Sequence, residues 1–112
     1  MHELSIAESI LEIVTESVPD HDKKVLSVTV EVGELTAVIP ESLQFCFHAI
    51  IEETPYKGAQ LIIREKKLTG ECRKCGSGFT IKNYFFQCPD CGSTDVQVTG
   101  GQELNVTELE VE

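Results

Sequence analysis

Residues 72–92 read CRKCGSGFTIKNYFFQCPDCG, in which two Cys-x2-Cys pairs stand twelve residues apart. Each pair can bring two thiolates to one metal ion from a single tight turn, and the residues between the pairs can run out and back as a hairpin. Closed tetrahedral coordination by four thiolates is what a structural Zn(II) ion prefers. The stretch therefore predicts a zinc ribbon with Cys72, Cys75, Cys88 and Cys91 as ligands.

Three other interpretations of these cysteines remain open. Disulfides form in oxidising compartments, and the chain opens with no signal-peptide pattern, so we expect a cytoplasmic protein with reduced thiols. A redox-active Cys-x-x-Cys motif would account for one pair and leave the other unexplained. Iron is the third alternative, because CPDCG resembles one knuckle of the iron-binding rubredoxins.

Composition narrows the class of protein. The chain has 112 residues, which is enough for one hydrophobic core and a small additional module. Its formal net charge at pH 7 is −10. No apolar run approaches the roughly 18 residues of a membrane span. Nucleic-acid-binding ribbons use Lys and Arg to neutralise phosphates, whereas basic and acidic residues are balanced across residues 70–99. Nucleic acid is therefore a disfavoured partner.

Outside the cysteine module, hydrophobic periodicity predicts a small α/β unit. Apolar residues recur at helical spacing at Leu4, Ala7, Leu11, Val14 and Val18. A capping box formed by Ser5 and Glu8 is predicted to begin this helix, and Pro19-Asp20 to end it. Alternation at Leu26, Val28, Val30 and Val32 then predicts a half-buried strand.

The remaining segments predict one more helix and two more strands. Pro40 fits the first position of a helix that ends before Pro55 and buries Leu43, Phe47, Ile50 and Ile51. A second strand is predicted around residues 59–66 and a last strand from about 103 to 111. The apolar phase shifts along the last strand, which indicates either a bulge near Thr107 or a change in packing environment.

This order predicts a fold class: α/β, with two helices on a three-stranded mixed sheet and a zinc-ribbon module inserted before the last strand. The first two strands and the helix between them form a parallel crossover. The last strand is expected to pair with the second as an antiparallel hairpin that the ribbon interrupts. We expect one domain to comprise residues 1–69 and 100–112, the ribbon domain to comprise residues 70–99, and Gly70 and Gly100-Gly101 to act as hinges.

The N-terminus, Met1-His2-Glu3, is the second candidate metal site. A free α-amine, the backbone amide nitrogen of His2 and its imidazole nitrogen can form fused chelate rings in one plane, and Glu3 can add an amide nitrogen or a carboxylate. Planar nitrogen ligation suits Ni(II) or Cu(II) rather than Zn(II). On residue chemistry alone, an idle solvated terminus is the favoured interpretation.

Four features in chain order resemble the HypA/HybF family of hydrogenase nickel-incorporation proteins: MHELSIAESIL, VEVGELTAVIPESLQFCF, the two CxxC knuckles and ELNVTELEVE. The resemblance implies a nickel metallochaperone for [NiFe]-hydrogenase maturation, which carries Ni(II) as transient cargo and holds a structural Zn(II). It also implies two partners, the maturation GTPase HypB and the hydrogenase large subunit. Carried over by position, Met1, His2 and Glu3 fall on the nickel motif, and the four ribbon cysteines fall on the zinc motif.

Two features set limits on what the resemblance implies. Some relatives place a histidine beside a CxxC pair, whereas glycine follows both pairs here, so a pH switch in zinc ligation is not expected. No nucleophile and base stand at catalytic spacing, so we expect no enzyme. A zinc-ribbon docking module without nickel transfer is the alternative function, and an enzyme or electron carrier ranks last.

Four further polar or reactive residues are expected to be structural or solvated rather than functional, with Glu34 left open. Cys46 is expected to be a buried, inert thiol on the second helix, and His48 a surface residue on the same helix. His21 is expected in a solvated loop. Glu34 follows a strand and a glycine, and it is either a solvated strand end or a further carboxylate for nickel or a partner.

Overall fold

A computed structural model of the chain describes residues 3–18 and 23–112. Within them the chain forms two α-helices and six strands. The helices are α1 (Glu3–Ser17) and α2 (Pro40–Ile51). The strands are β1 (Val25–Gly33), β2 (Gln60–Lys66), β3 (Thr69–Cys72), β4 (Gly78–Thr80), β5 (Val96–Gly100) and β6 (Leu104–Val111). They form two three-stranded sheets with the orders β2-β1-β6 and β4-β3-β5.

The first sheet is mixed and has β1 at its centre. Strand β1 pairs in parallel with β2 and antiparallel with β6, so that Val28 lies between Leu61 and Leu109. The predicted fold class is thereby confirmed, but the predicted pairing of the last strand with β2 is wrong. Strand β1 is buried on both sides at Val28, Thr29 and Val30, so it gains most from neighbours on both edges. The charged end of β2, with Arg64 and Lys66, suits an edge.

The bulge predicted near Thr107 is confirmed. Thr29 pairs with Glu108 and Val30 with Val106, so Thr107 has no partner in the ladder. Its hydroxyl donates a hydrogen bond to the Thr29 carbonyl oxygen at 3.4 Å instead. The extra residue lets the apolar residues on either side of Thr107 pack against the same core despite their different parity.

A second register shift between Val25 and Ser27 affects the other end of β1. Leu26 is the additional residue there, and its side chain is exposed while Val25 is buried. Leu26 was predicted on the buried face from simple alternation. That prediction is wrong because the bulge moves Val25 into the position that alternation assigns to Leu26.

Helix α1 differs from its prediction in its start and in its buried face. The helix is already formed at Glu3, so Ser5 lies within the first turn and the predicted capping box is wrong. The most buried side chains are Ile6, Ala7, Ile10 and Val14, whereas Leu4 is 45% exposed. The predicted end at Pro19-Asp20 lies outside the described residues.

Helix α2 matches its prediction closely. It begins with Pro40 at its first position, and Leu43, Phe47 and Ile51 are buried while Ile50 is partly buried. Helix α1 packs on α2 and on β6, and α2 packs on β2, so both helices cover one face of the sheet. In the part of the chain that the structure describes, neither helix has the length and apolar character to cross a membrane.

The second sheet is antiparallel and contains the cysteine module. Gly70 lies inside its central strand, opposite Phe79 and Val98. A Cβ atom at Gly70 would stand 2.8 Å from Cγ1 of Val96 and 2.9 Å from Cδ1 of Ile81. Close packing therefore accounts for this glycine. The hinge motion and the domain boundaries remain predictions.

Backbone contact at Gly33 and Gly101 joins the two sheets. A Cβ atom on Gly33 would lie 2.1 Å from the carbonyl carbon of Gly101, so a side chain at position 33 would collide with the backbone at position 101. The Gly33 N–H donates to the Glu103 carbonyl oxygen at 2.7 Å, and the Leu35 N–H donates to the Gly101 carbonyl oxygen at 2.8 Å. Gly101 has φ +103 and packs against Leu68, which is fully buried at the base of the second sheet.

Gly33→Ala should lower the free energy of unfolding by about 2 kcal/mol or more, because the new methyl group meets backbone atoms that cannot rotate away. Gly78→Ala is the matched control, since a Cβ atom there meets nothing within 4 Å. Urea denaturation followed by circular dichroism measures both. Equal stability of the two variants would contradict the tight junction.

Candidate metal centres

The two Cys-x2-Cys pairs form turns with the same backbone pattern. In the first turn the Gly76 N–H donates to the Cys72 carbonyl oxygen at 2.9 Å, and in the second the Gly92 N–H donates to the Cys88 carbonyl oxygen at 3.0 Å. Both glycines have positive φ, +81 for Gly76 and +76 for Gly92. Glycine adopts this backbone without steric cost, which closes each turn around its two sulfurs.

A serine follows each of these glycines, and this repeat was missed by the sequence analysis. The Cys72 N–H donates to the Ser77 carbonyl oxygen, and the Cys88 N–H donates to the Ser93 carbonyl oxygen, both at 2.9 Å. The signal was available, because both stretches read C-x-x-C-G-S. Ser77 also links the two turns, since its hydroxyl donates to Oδ2 of Asp90 at 2.5 Å.

The four sulfur atoms converge on one point. All four Sγ atoms lie within 4.8 Å of one another. The Cys72–Cys91 and Cys75–Cys88 Sγ–Sγ distances are 3.6 and 3.5 Å. A Zn–S bond of about 2.3 Å implies sulfur–sulfur edges of about 3.8 Å in a tetrahedron. The cluster therefore fits one tetrahedral metal ion, and its four thiolates would leave no open coordination position.

Hydrogen bonds lower the pKa values of two of the thiols, Cys72 and Cys75. The Cys75 N–H, 3.4 Å from the Cys72 sulfur, lowers the pKa of Cys72. Hydrogen bonding by Ser77, first through its side chain and then through its backbone N–H, lowers the pKa of Cys75 to about 6. The single Ser77 hydroxyl proton serves either this sulfur or Asp90 at any one time. Thiolate is the form that binds a metal ion.

At Cys91 the close packing of the sulfur atoms raises the pKa instead of lowering it. The Ser93 N–H lowers the pKa of Cys91, but the neighbouring sulfur of Cys72, followed by desolvation, outweighs it and raises the pKa to about 12. Several thiolates this close together repel one another when no cation lies between them. A divalent cation removes this repulsion, so metal binding at neutral pH should displace protons from the cluster.

Each turn contains one buried and one exposed cysteine. Cys72 and Cys88 are buried, whereas Cys75 and Cys91 are exposed. In the described residues, 3–18 and 23–112, this is the one cluster of three or more His, Cys, Asp or Glu side chains with its ligand atoms so close together.

The predicted nickel ligands are only partly described. Met1 and His2 lie outside the described residues, so their role as ligands stays a prediction. Glu3 lies in the first turn of α1 and is partly buried. Its Oε2 atom accepts a hydrogen bond from the Ile39 N–H at 3.5 Å. The start of α1 is therefore held beside the start of α2.

The other candidate residues are dispersed over the surface of the α/β unit. Cys46 was predicted to be buried but is only partly buried against the core, and it has no disulfide partner. His48 is exposed on α2, as predicted. Glu34 lies in a short 3-10 helix after β1, in a cleft shared with Glu65 and Lys66. Its contribution to a nickel site stays a prediction. His21 lies outside the described residues.

Comparison with known proteins gives a consistent result. Residues 1–111 match the family model described as "Hydrogenase/urease nickel incorporation, metallochaperone, hypA". The hydrogenase maturation factor HypA of Geobacter metallireducens is 44% identical over 112 residues, covering all of both chains. The HypA protein of Chlorobaculum parvum is 42% identical over 113 residues, again covering all of both chains.

A solved structure agrees with these relatives. The solution structure of the Ni metallochaperone HypA from Helicobacter pylori superposes with a TM-score of 0.68 at 29% sequence identity, covering 98% of this chain and 97% of that one. The family model, the whole-length relatives and the similar solved structure all point to the same family. This chain accordingly belongs to the HypA family of metallochaperones for nickel incorporation into hydrogenase or urease.

Proposed function

We propose that this chain binds Ni(II) at its N-terminus and delivers it, together with a GTPase partner, during [NiFe]-hydrogenase maturation. The observation that carries the proposal is the family match over residues 1–111, which begins at the Met-His-Glu terminus itself. The whole-length relatives are named as hydrogenase maturation factors, and the Helicobacter pylori relative is titled a Ni metallochaperone.

The proposed nickel ligands are the α-amine of Met1, the backbone and imidazole nitrogens of His2 and, in addition, Glu3. Nitrogen donors in one plane favour square-planar Ni(II). The α-amine has an unperturbed pKa of about 7.7–8.0, so a metal ion can displace its proton near neutral pH. Glu3 lies in the first turn of α1 and directly follows His2 in the sequence, which supports its inclusion in the proposed donor set.

Zinc is proposed to be structural and to be held by Cys72, Cys75, Cys88 and Cys91. The convergence of the four sulfurs and the closed donor set favour zinc, which binds tetrahedrally to thiolates and contributes directly to folding. We assign the site to a ribbon domain of residues 70–99. The nickel-binding domain then comprises residues 1–69 and 100–112.

The proposed partners are the maturation GTPase HypB and the [NiFe]-hydrogenase large subunit, and the proposed compartment is the cytoplasm, where thiols stay reduced. The chain is proposed to carry metal without catalysing a reaction, because a four-thiolate site leaves no position for a substrate.

One observation favours the alternative of a zinc-ribbon docking module: Tyr84, Phe85 and Phe86 are all exposed on the ribbon.

Cys75→Ser should abolish stoichiometric zinc and loosen the β3-β4-β5 sheet, while the core beneath α1 and α2 stays folded because it does not include the ribbon. The control is Cys46→Ser, which replaces a cysteine outside the cluster. Metal analysis gives the zinc content, and amide hydrogen exchange compares the two sheets. X-ray absorption of the native protein should show sulfur ligands at about 2.3 Å. A nitrogen ligand, or full zinc retention in Cys75→Ser, would contradict the assignment.

His2→Ala should abolish Ni(II) binding, because it removes the imidazole nitrogen from the proposed planar chelate. Residues added before Met1 should have the same effect, since they convert the α-amine into an amide. Titration of untagged protein measures binding, and a visible d–d band from diamagnetic nickel reports square-planar geometry. Binding should weaken as the pH falls, because protons compete for the same nitrogens.

The other two histidines of the chain provide matched controls for this experiment. His21→Ala and His48→Ala should bind nickel as the wild type does, and all variants should keep their zinc. Unchanged nickel affinity and spectrum in His2→Ala would show that the metal binds elsewhere.

A further inference from the structure

The starts of the two helices share an exposed apolar surface. Phe45 lies on the solvent side of α2 and is 76% exposed, although Leu43 and Phe47 on the same helix are fully buried. Leu4 of α1 is 45% exposed and lines the same depression, which has a volume of about 460 Å³. A single exposed apolar side chain is ordinary, but a contiguous group from two elements indicates a contact surface.

Carboxylates form the rim of this surface. The residues that line the depression, which we call the Phe45 surface, are Glu3, Leu4, Glu41, Ser42, Phe45 and Cys46. Two of them are acidic and none is basic, on a chain with a formal charge of −10. Complementary charge at a rim selects partners and speeds their encounter, while the apolar centre supplies contact area.

The surface also includes Glu3, one of the proposed nickel ligands. Glu3 lies on its rim, and His2 is joined to Glu3 by a peptide bond. A protein that covers Phe45 and Leu4 would therefore also contact Glu3. Small interfaces suit transient complexes, which is what delivery of a metal ion requires.

We propose that the Phe45 surface docks the protein with which this chain exchanges nickel. The partner presents an apolar side chain flanked by lysine or arginine, which fits between Leu4 and Phe45 and pairs with Glu3 and Glu41. This inference rests on the proposed function for its biological purpose, but the contact itself does not require bound metal.

Two other arrangements are disfavoured by charge. A two-fold dimer centred on Phe45 would bring the same rim carboxylates of both copies together, and like charges across an interface are repulsive. The exposed aromatic residues of the ribbon, Tyr84–Phe86, have Lys82 as the nearest charged residue in the sequence. That group therefore lacks the acidic rim of the Phe45 surface.

The test measures the affinity of the full-length chain for purified HypB from the same organism, by calorimetry with and without Ni(II). Phe45→Ser and Leu4→Ser should each weaken binding about tenfold or more, the usual cost of truncating a central contact. Glu41→Lys should weaken it as well. Binding of the wild type should fall with added salt, because the rim charges are exposed and easily screened.

Two exposed apolar residues elsewhere serve as controls. Ile62 is 41% exposed on the sheet face opposite the helices, and Phe85 is 65% exposed on the ribbon. Ile62→Ser and Phe85→Ser should bind HypB as the wild type does. All variants should keep their zinc content and circular dichroism spectrum, since each replaced side chain is exposed.

The possible results separate docking from nickel binding. Loss of HypB binding in Phe45→Ser with unchanged nickel affinity supports the docking surface. Wild-type affinity in both Phe45→Ser and Leu4→Ser, or loss only in Phe85→Ser, overturns it and leaves the nickel proposal standing. A wild-type chain that binds no nickel yet needs Phe45 to bind HypB would overturn the nickel proposal alone.

Two further results would also overturn the docking inference. If the wild type is a dimer that Phe45→Ser converts to a monomer, a second copy of the chain covers the surface. If the wild type does not bind HypB, the surface does not dock that protein.

Discussion

The close approach of Gly33 and Gly101 is the constraint on which the arrangement of the molecule depends. At this point β1 ends, the chain returns from the cysteine module, and β6 is about to begin. With no side chain on either residue, the two backbones meet directly and exchange hydrogen bonds through Leu35 and Glu103. The contact fixes where the ribbon leaves the α/β unit and where β6 must start to pair with β1.

The parts of the fold that depend on local chemistry could be predicted from the sequence. Pro40 sets the start of α2 because its ring restricts φ and its missing N–H would have no helical partner. The bulge at Thr107 follows from the change of parity along the last strand. Strand order could not be obtained in this way, since pairing of β6 with β1 rather than β2 depends on which strand gains most from burial on both sides. The rotated face of α1 likewise reflects packing against α2 and β6.

In the candidate metal centres, too, some features could be predicted from the local sequence and others could not. Spacing alone identified the four cysteines, because two turns of the same kind can place four sulfurs around one ion. The link from Ser77 to Asp90 joins residues of different turns, so it required the three-dimensional structure. For Met1 and His2, residue chemistry alone favoured an idle terminus over a chelate. Membership of the family, which the match over residues 1–111 establishes, is what favours the chelate.

Strand β6 lies at the edge of its sheet, and this position has a consequence for the behaviour of the protein at high concentration. An edge strand is a template for pairing with another molecule, and charged side chains are a common protection against it. Glu110 and Glu112 stand exposed along and just beyond this strand, and Glu108 is also exposed but has its Oε1 atom 3.7 Å from Nη1 of Arg64. Two copies that joined edge to edge would crowd these carboxylates together. The acidic residues at the C-terminal end of the chain therefore oppose fibre growth from the open side of its sheet.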